Sequence, residues 1–336
     1  MDTRSDPQAL YGTRGGVGGS GSLLYALVIL SAILCGFAYK LRTEGLLSCQ
    51  ADGYTSDRYL ANCHAAGYGD YEHGAFWFDL EPLARKAAAQ ADAVFLGDSR
   101  LQFGLSTAAM RGRFEPKNTY YLLGFTYGEN VVFTQKLLRD MGVRAKLYVF
   151  DIDFLSPNET VPAKELVSDR TAYFSAKLKS LSQSIHRPLC QTLSRLCGRR
   201  FAIFRSRHNG EYYVDAERSG AVLKPAPVVY DHDVNTETIA SYTASGAAFL
   251  SQLPVDRDCI IMTVVPTVRS NAFVHTSSIE TAEVVARALG VKLVAPTLDG
   301  LGTFDGSHLD PSSAERWSKA LLEAADPQVR QCLARP

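Results

Sequence analysis

Short apolar runs alternate with amphipathic segments along most of the chain. Five runs rich in β-branched or aromatic residues predict buried strands, at 93–97, 119–124, 146–152, 259–266 and 291–296. Apolar residues at helical spacing predict helices at 76–90, 129–142, 239–253, 278–290 and 311–325. Nearly continuous apolar strands separated by amphipathic helices are typical of a parallel sheet covered on both faces. The pattern therefore predicts an α/β fold, with an active site at the carboxyl ends of the strands.

The N-terminal part of the chain has a different pattern. Residues 1–21 are small and polar and predict a flexible tail, because their glycines lack the GxxxxGK[ST] pattern of a phosphate-binding loop. Residues 22–40 are apolar up to a terminal lysine, and at about 1.5 Å per residue they nearly cross a hydrocarbon core of about 30 Å. We predict one transmembrane helix over 22–40. A cleaved signal peptide is the alternative, although the polar tail is long and no clear A-x-A site follows.

The rest of the chain divides by composition. Residues 41–74 are polar and dotted with glycine, which predicts a linker that packs on the following domain, 75–336. Within that domain, 155–235 interrupts the alternation and predicts an insertion with a helical stretch and a hairpin over 211–223. Between residues 170 and 210 there are nine Lys or Arg and, after Arg170, no acidic residue. Such a stretch indicates either a solvated face or contact with anionic lipid headgroups or an acidic polymer.

Composition excludes some classes of function. The 336 residues carry 35 basic and 35 acidic side chains, whereas nucleic-acid binders usually have a basic excess, so we expect no nucleic-acid partner. A chain of this length that is 46% hydrophobic can bury a substantial core and does not have the composition of a disordered protein.

The cysteines bear on the compartment. Cys35 lies in the apolar run, and the six others include two pairs close in sequence, Cys49 with Cys63 and Cys190 with Cys197. An even set of this kind favours disulfides in an oxidising compartment, and unpaired cytosolic thiols are the alternative. The chain has no CxxC pair, so we expect no zinc site and no other metal. We predict an extracytoplasmic domain, periplasmic or on the cell exterior.

The candidate chemistry lies after the first predicted strand and near the C-terminus. The first strand ends in Gly97-Asp98-Ser99-Arg100, where a serine is either presented as a nucleophile or merely caps a helix. Asp305 and His308 stand three residues apart in a loop before the last predicted helix. This spacing allows the carboxylate to orient the imidazole, which can then take the proton of the serine.

These two motifs together resemble the SGNH, or GDSL-type, hydrolase superfamily over residues 90–325. The resemblance implies a three-layer, flavodoxin-like parallel sheet and ester cleavage or acyl transfer without a cofactor. It implies Ser99 as nucleophile, His308 as base and Asp305 as the residue that orients the base. The glycine of the family's second block, whose N–H helps to bind the oxyanion, corresponds to Gly128 or, with a poorer spacing, to Gly124.

The third block departs from the family's pattern. The family has an asparagine there, whereas this chain has Asp151-Ile152-Asp153-Phe154, and an ionised carboxylate accepts hydrogen bonds but cannot donate them. Losing one oxyanion donor costs about 3 kcal/mol of barrier stabilisation. Backbone N–H groups, Arg100 or Asn158 would have to compensate, or the enzyme is slow. We expect Arg269, which follows the fourth predicted strand, to lie at the sheet edge where it can bind an anionic group or a carbonyl.

The anchor, linker and domain together resemble the membrane-tethered branch of the superfamily. That branch adds or removes acetyl groups on cell-surface polysaccharides, or transfers D-alanine to teichoic acids. We therefore expect an esterase or O-acyltransferase acting on an acylated carbohydrate, with the membrane and envelope-complex subunits as partners. A catalytically inactive scaffold or carbohydrate-binding subunit is the first alternative. An anchored hydrolase that faces the cytosol, with its cysteines reduced, is the second.

The other histidines carry weaker hypotheses. His73, just before the first predicted helix, lines the active site or is structural. Asp231-His232-Asp233 is interpreted as a solvated turn, because three adjacent side chains do not easily converge on a metal ion. The remaining histidines, His64 among them, have no partner in sequence and are interpreted as surface or structural residues.

Overall fold

The computed structural model describes residues 19–65, 67–214, 225–268 and 277–335. The helices are α1 (Gly19–Thr43), α2 (Glu72–Trp77), α3 (Pro82–Gln90), α4 (Ser99–Leu105), α5 (Ala108–Phe114), α6 (Val131–Met141), α7 (Val161–Ser168), α8 (Ala172–Thr192), α9 (Thr236–Leu250), α10 (Ile279–Leu289) and α11 (Pro311–Leu333). The strands are β1 (Arg58–Cys63), β2 (Gly69–Asp70), β3 (Ala93–Asp98), β4 (Tyr120–Phe125), β5 (Leu147–Asp151), β6 (Ala202–Ser206), β7 (Tyr212–Tyr213), β8 (Ala226–Pro227), β9 (Ile260–Thr263), β10 (Lys292–Leu293) and β11 (Gly302–Thr303).

The central sheet has five parallel strands in the order β10-β9-β5-β3-β4. Each of the five predicted apolar runs contributes one strand, so the predicted α/β class and the parallel sheet are confirmed. Numbered along the chain, the strand order is 2-1-3-4-5, which is that of flavodoxin-like doubly wound sheets. The last strand is shorter than predicted, with two residues.

Helices cover both faces of this sheet. On β3, Val94 and Leu96 face one core, to which α3, α6, α9 and α10 contribute buried apolar side chains. Phe95 faces the other core, which includes Leu101 of α4 and Trp317 of α11. This alternation explains why the strands are apolar throughout, since successive side chains enter different cores.

A second, antiparallel sheet joins the predicted linker to the predicted insertion. Its order is β2-β1-β6-β7, so that strands of residues 41–74 pair with strands of 155–235. A hairpin runs from β6 to β7, where Phe204 and Arg205 pair with Tyr213 and Tyr212, and the hairpin expected over 211–223 stays a prediction. The expected second strand falls largely on residues 215–224, outside the described residues.

One predicted helix is interrupted. Residues 76–90 were expected to form a continuous helix, but α2 ends at Trp77 and α3 begins at Pro82. Between them Asp79 adopts a left-handed conformation with φ 54°. Pro82 suits the first turn of a helix, because its missing N–H would have no partner there, but not a helix interior. Pro82 therefore marks the start of α3, which the apolar periodicity alone did not indicate.

Three disulfides are present. Both predicted pairs are bonded, with Cα–Cα distances of 6.1 Å for Cys49–Cys63 and 5.7 Å for Cys190–Cys197. A third bond joins Cys259, just before β9, to Cys332 near the end of α11. Three bonds in one domain suggest an oxidising, extracytoplasmic compartment.

Replacing Cys259 and Cys332 together by alanine is expected to lower the free energy of unfolding by about 4 kcal/mol, because the bond closes a long loop in the unfolded chain. The two cysteines are separated by 73 residues. Urea denaturation under non-reducing conditions measures the effect. Cys35→Ala is the control, since this free and exposed cysteine forms no disulfide. An unchanged denaturation midpoint for the double variant would contradict the expectation.

The helix α1 has the length and composition of a membrane span. Over Ser22–Thr43 its mean hydropathy is 2.1, and none of its most apolar window is buried against the rest of the protein. These properties fit a membrane anchor or a signal sequence.

Candidate active site

Ser99 is presented at the carboxyl end of the central sheet. Strand β3 ends at Asp98 and α4 begins at Ser99, with the Asp98 carboxylate accepting the Arg100 N–H at 2.8 Å as the helix cap. The turn needs glycine at position 97, because a Cβ there would lie 2.8 Å from Leu101 Cβ. The Gly-Asp-Ser motif thus consists of a residue that permits the turn, the helix cap and Ser99, the partly exposed first residue of α4.

A closed loop before α11 carries the histidine and the second aspartate. Phe304 N donates to His308 O at 3.0 Å, and Gly306, with φ 88°, permits the reversal between them. The helix α11 then begins at Pro311, capped by Asp310, which accepts the Ser313 N–H at 2.9 Å. This loop is held at both ends and has little freedom to reorient.

The structure brings the three predicted residues together. Ser99 Oγ lies 2.8 Å from His308 Nε2, and His308 Nδ1 lies 2.7 Å from Asp305 Oδ2. A carboxylate only accepts hydrogen bonds, so Nδ1 carries the proton and Nε2 is free to accept from the serine hydroxyl. This is the tautomer that a general base for Ser99 requires.

The surroundings of Asp305 and His308 favour this state. Burial raises the pKa of Asp305. Hydrogen bonds from His308 and Ser307, together with the charge of His308, lower it by more, so the pKa of Asp305 is below its usual value. The His308 ring stacks on Phe304 at 5.6 Å between centroids and contacts Phe103 at 4.7 Å. Two aromatic rings therefore fix the orientation of the imidazole.

The predicted oxyanion donors are mostly engaged elsewhere. The Gly124 N–H donates to Gln102 Oε1 at 3.2 Å inside the sheet, so this glycine is not available, which corrects the prediction. The Arg100 N–H is taken by Asp98. Gly128 lies in a left-handed turn after β4, with φ 66°, and its N–H makes no hydrogen bond to the described residues. Gly128 remains the predicted donor.

Asp153 and Arg100 form a buried ionic cluster together with Asp98. The Arg100 guanidinium lies 2.7 Å from Asp98 Oδ2 and 3.2 Å from Asp153 Oδ2. Asp153 also accepts from the Ser277 hydroxyl at 2.7 Å. Burial and the nearby charge of Asp153 raise the pKa of Asp151 above its usual value, against the opposing effect of Arg100. Arg100 and Asp153 were both predicted to bind substrate; their side chains contact one another, and substrate binding stays a prediction.

Two further residues were predicted to contact the substrate, Asn158 and Arg269. Asn158, a candidate compensating donor, is exposed, and its carbonyl accepts a hydrogen bond from Asn130. Arg269 lies outside the described residues.

His73 is a structural residue and does not line the site. It is fully buried, with Nδ1 3.0 Å from Asp70 Oδ1 and Nε2 3.0 Å from Glu129 Oε2. Burial opposes its protonation, but the two carboxylates prevail and raise the pKa of His73 to about 10. An imidazolium therefore joins β2 to the turn that precedes α6.

Replacing His73 by leucine is expected to destabilise the protein by about 3–5 kcal/mol, because two carboxylates lose their buried partner. The pKa of His73 is about 10 in the fold and about 6.5 in an unfolded chain, so its contribution is complete below pH about 6.5 and is lost as the pH rises to about 10. Urea denaturation of wild type and variant across this range measures the difference. The exposed His208→Leu is the control, and a gap that stays constant up to pH about 10 would contradict the assignment.

The other candidate ligand groups are also engaged. His232 Nδ1 lies 2.7 Å from Glu280 Oε1, and Asp231 accepts the Asp233 N–H, as in a solvated turn. Among the described residues, His186 lies within ligand distance of Cys190 and Cys197, but these two cysteines are bonded to each other.

Sequence reasoning missed one polar neighbour of the site. His64 follows β1, and burial lowers its pKa, with smaller effects from Asp305, which raises it, and His308, which lowers it. The charges of Asp305 and His308 therefore act on His64. No local motif indicates this, because the neighbours are more than two hundred residues apart in the sequence.

The site defines a serine–histidine–aspartate arrangement on a doubly wound parallel sheet. Comparisons with family models, curated proteins and solved structures each find no match for this chain.

Proposed function

We propose that this protein is a membrane-anchored, SGNH-type serine esterase or O-acyltransferase. The observation that carries the proposal is the continuous chain of contacts from Ser99 Oγ to His308 Nε2 and from His308 Nδ1 to Asp305, at 2.8 and 2.7 Å. The strand order 2-1-3-4-5 and the position of Ser99 directly after β3 support it, because doubly wound sheets bind ligands at the carboxyl ends of their strands.

The geometry supports a mechanism with two half-reactions. Ser99 Oγ attacks the ester carbonyl while His308 Nε2 takes the hydroxyl proton, and Asp305 stabilises the imidazolium. The tetrahedral intermediate collapses to acyl-Ser99, and His308 returns the proton to the leaving alcohol. A water molecule or a sugar hydroxyl then gives its proton to His308 and attacks the acyl group, and His308 returns that proton to Ser99 Oγ as the bond between Ser99 and the acyl group breaks.

The proposed substrates are acyl esters, above all acetyl esters, of cell-envelope or secreted polysaccharide. The support for this class is the layout of the chain: an apolar N-terminal helix, a disulfide-bonded domain and the resemblance of its motifs to the tethered branch.

A second candidate is a catalytically inactive scaffold or carbohydrate-binding subunit of an envelope assembly. The specific observation in its favour is the state of the oxyanion donors. The Gly124 and Arg100 N–H groups are engaged, and carboxylates stand where the family has an amide. Preorganised donors usually supply a large part of the rate in acyl transfer.

Incubating the full-length protein in detergent with an O-acetylated polysaccharide tests the proposal. Free acetate and acetyl groups on an added, unacetylated polysaccharide are measured together. Acetate alone identifies an esterase, and acetylated acceptor identifies a transferase. Ser99→Ala should abolish both activities, while the exposed Ser251→Ala should leave them unchanged. Wild-type rates equal to those of Ser99→Ala would favour the scaffold.

A further inference from the structure

Helix α8 has one apolar face that the rest of the described protein does not cover. One side packs inward through Ala176, Gln183, His186 and Cys190. The opposite side carries Phe174, Leu178, Leu181 and Ile185, each at least 60% exposed. These four residues, here called the α8 stripe, are spaced by four, three and four positions, so they form one line along the helix. Continuous exposed apolar surface of this kind usually marks an interaction site.

The α8 stripe lies in the basic part of the chain. Residues 171–210 contain no acidic side chain. Lys177 lies beside the stripe on the same exposed side, and Arg195 and Arg199 are exposed just beyond the end of the helix. Exposed Leu193 and Leu196 continue the apolar surface in this direction. Apolar residues flanked by lysine and arginine are the pattern of helices that lie in a membrane interface.

The C-terminal end of α8 is fastened next to the end of α1. The Cys190–Cys197 bond folds the chain back, and Gly198 N donates to Leu47 O at 2.6 Å. Arg42, in the last turn of α1, lines the same cleft of about 710 Å³ as Arg195 and Arg199. The basic, apolar end of α8 is therefore found where α1 would leave a bilayer.

We propose that the α8 stripe lies on the bilayer surface that α1 crosses, with its apolar side chains among the acyl chains and Lys177, Arg195 and Arg199 against anionic lipid phosphates. The charge of the segment and its continuity with α1 favour a lipid surface over a protein partner. The inference rests on α1 being a membrane anchor and is independent of the chemistry at Ser99.

Quenching of tryptophan by brominated phospholipid tests this placement. The full-length chain is inserted into nanodiscs of phosphatidylcholine and phosphatidylglycerol with brominated acyl chains, as wild type, Leu181→Trp or Val284→Trp. Val284 is the control, because it is exposed on α10 at the edge of the central sheet opposite β4. After subtraction of the wild-type signal, Leu181→Trp should be quenched roughly twofold more than Val284→Trp.

The results that overturn the proposal are distinct. Equal quenching of the two variants would show that the α8 stripe does not lie in the bilayer. A blue shift of Leu181→Trp that follows protein concentration instead of bromination would assign the stripe to a second copy of the chain. Quenching that is unchanged in nanodiscs without phosphatidylglycerol would show that anionic lipid phosphates do not hold the α8 stripe at the bilayer. Failure of the chain to enter nanodiscs would show that α1 is not a membrane anchor. None of these results bears on the chemistry proposed at Ser99.

Discussion

His308→Ala is expected to lower kcat for ester cleavage by about three to six orders of magnitude. A serine hydroxyl is inert at neutral pH without a base, and His308 Nε2, the proposed base, lies 2.8 Å from Ser99 Oγ. Substrate binding should change little, because the imidazole removes a proton and does not hold the acyl group. Steady-state hydrolysis of an activated acetyl ester by purified protein measures kcat and KM separately.

The matched control for His308→Ala is His232→Ala. His232 is exposed and, like His308, has its Nδ1 at 2.7 Å from a carboxylate, in this case Glu280. Its loss should leave kcat unchanged. Circular dichroism of both variants reports whether the fold is retained. Equal kcat values for wild type and a folded His308→Ala variant would show that His308 is not the base.

Asp305→Asn is expected to lower kcat by about four orders of magnitude while the fold is retained. The carboxylate Oδ1 accepts the N–H groups of Ser307 and His308, and Oδ2 faces His308 Nδ1. An asparagine that keeps its carbonyl towards the two backbone N–H groups presents its NH₂ to Nδ1. The imidazole must then accept at Nδ1 and carry its proton on Nε2, so it can no longer take the proton of Ser99.

Rate measurements on Asp305→Asn need a control that changes the same functional group elsewhere. Asp231→Asn serves, since Asp231 accepts the Asp233 N–H in a turn that contains none of the three candidate catalytic residues. This variant should have wild-type kcat. Wild-type kcat in Asp305→Asn would mean that Asp305 does not set the tautomer of His308 and that the three-residue arrangement is structural.

The parallel sheet was predictable because its signal is local. Each strand is a run of apolar residues that meets a core on both faces, as Val94 and Phe95 show on β3. The break at Pro82 and the pairing of β1 with β6 were missed for different reasons. A proline within an amphipathic pattern is compatible with either a helix or a helix start, and β1 and β6 are separated by well over a hundred residues.

The candidate site also contains residues that could be predicted from local motifs and contacts that could not. Ser99, Asp305 and His308 stand in short motifs next to predicted elements, so sequence alone placed them at one edge of the sheet. The engagement of Gly124 by Gln102 and of Arg100 by Asp153 depends on side-chain packing between distant segments. A residue type that can bind substrate can equally bind a neighbouring side chain, and only the fold distinguishes the two.

The central claim is that Ser99 is an activated nucleophile. The most direct measurement treats the full-length protein with a fluorophosphonate probe and maps the label by mass spectrometry, with His308→Ala in parallel. The account predicts label on Ser99 in the wild type and its loss in the variant. A folded wild-type protein that takes up no label, or equal labelling of Ser99 in both proteins, would contradict it.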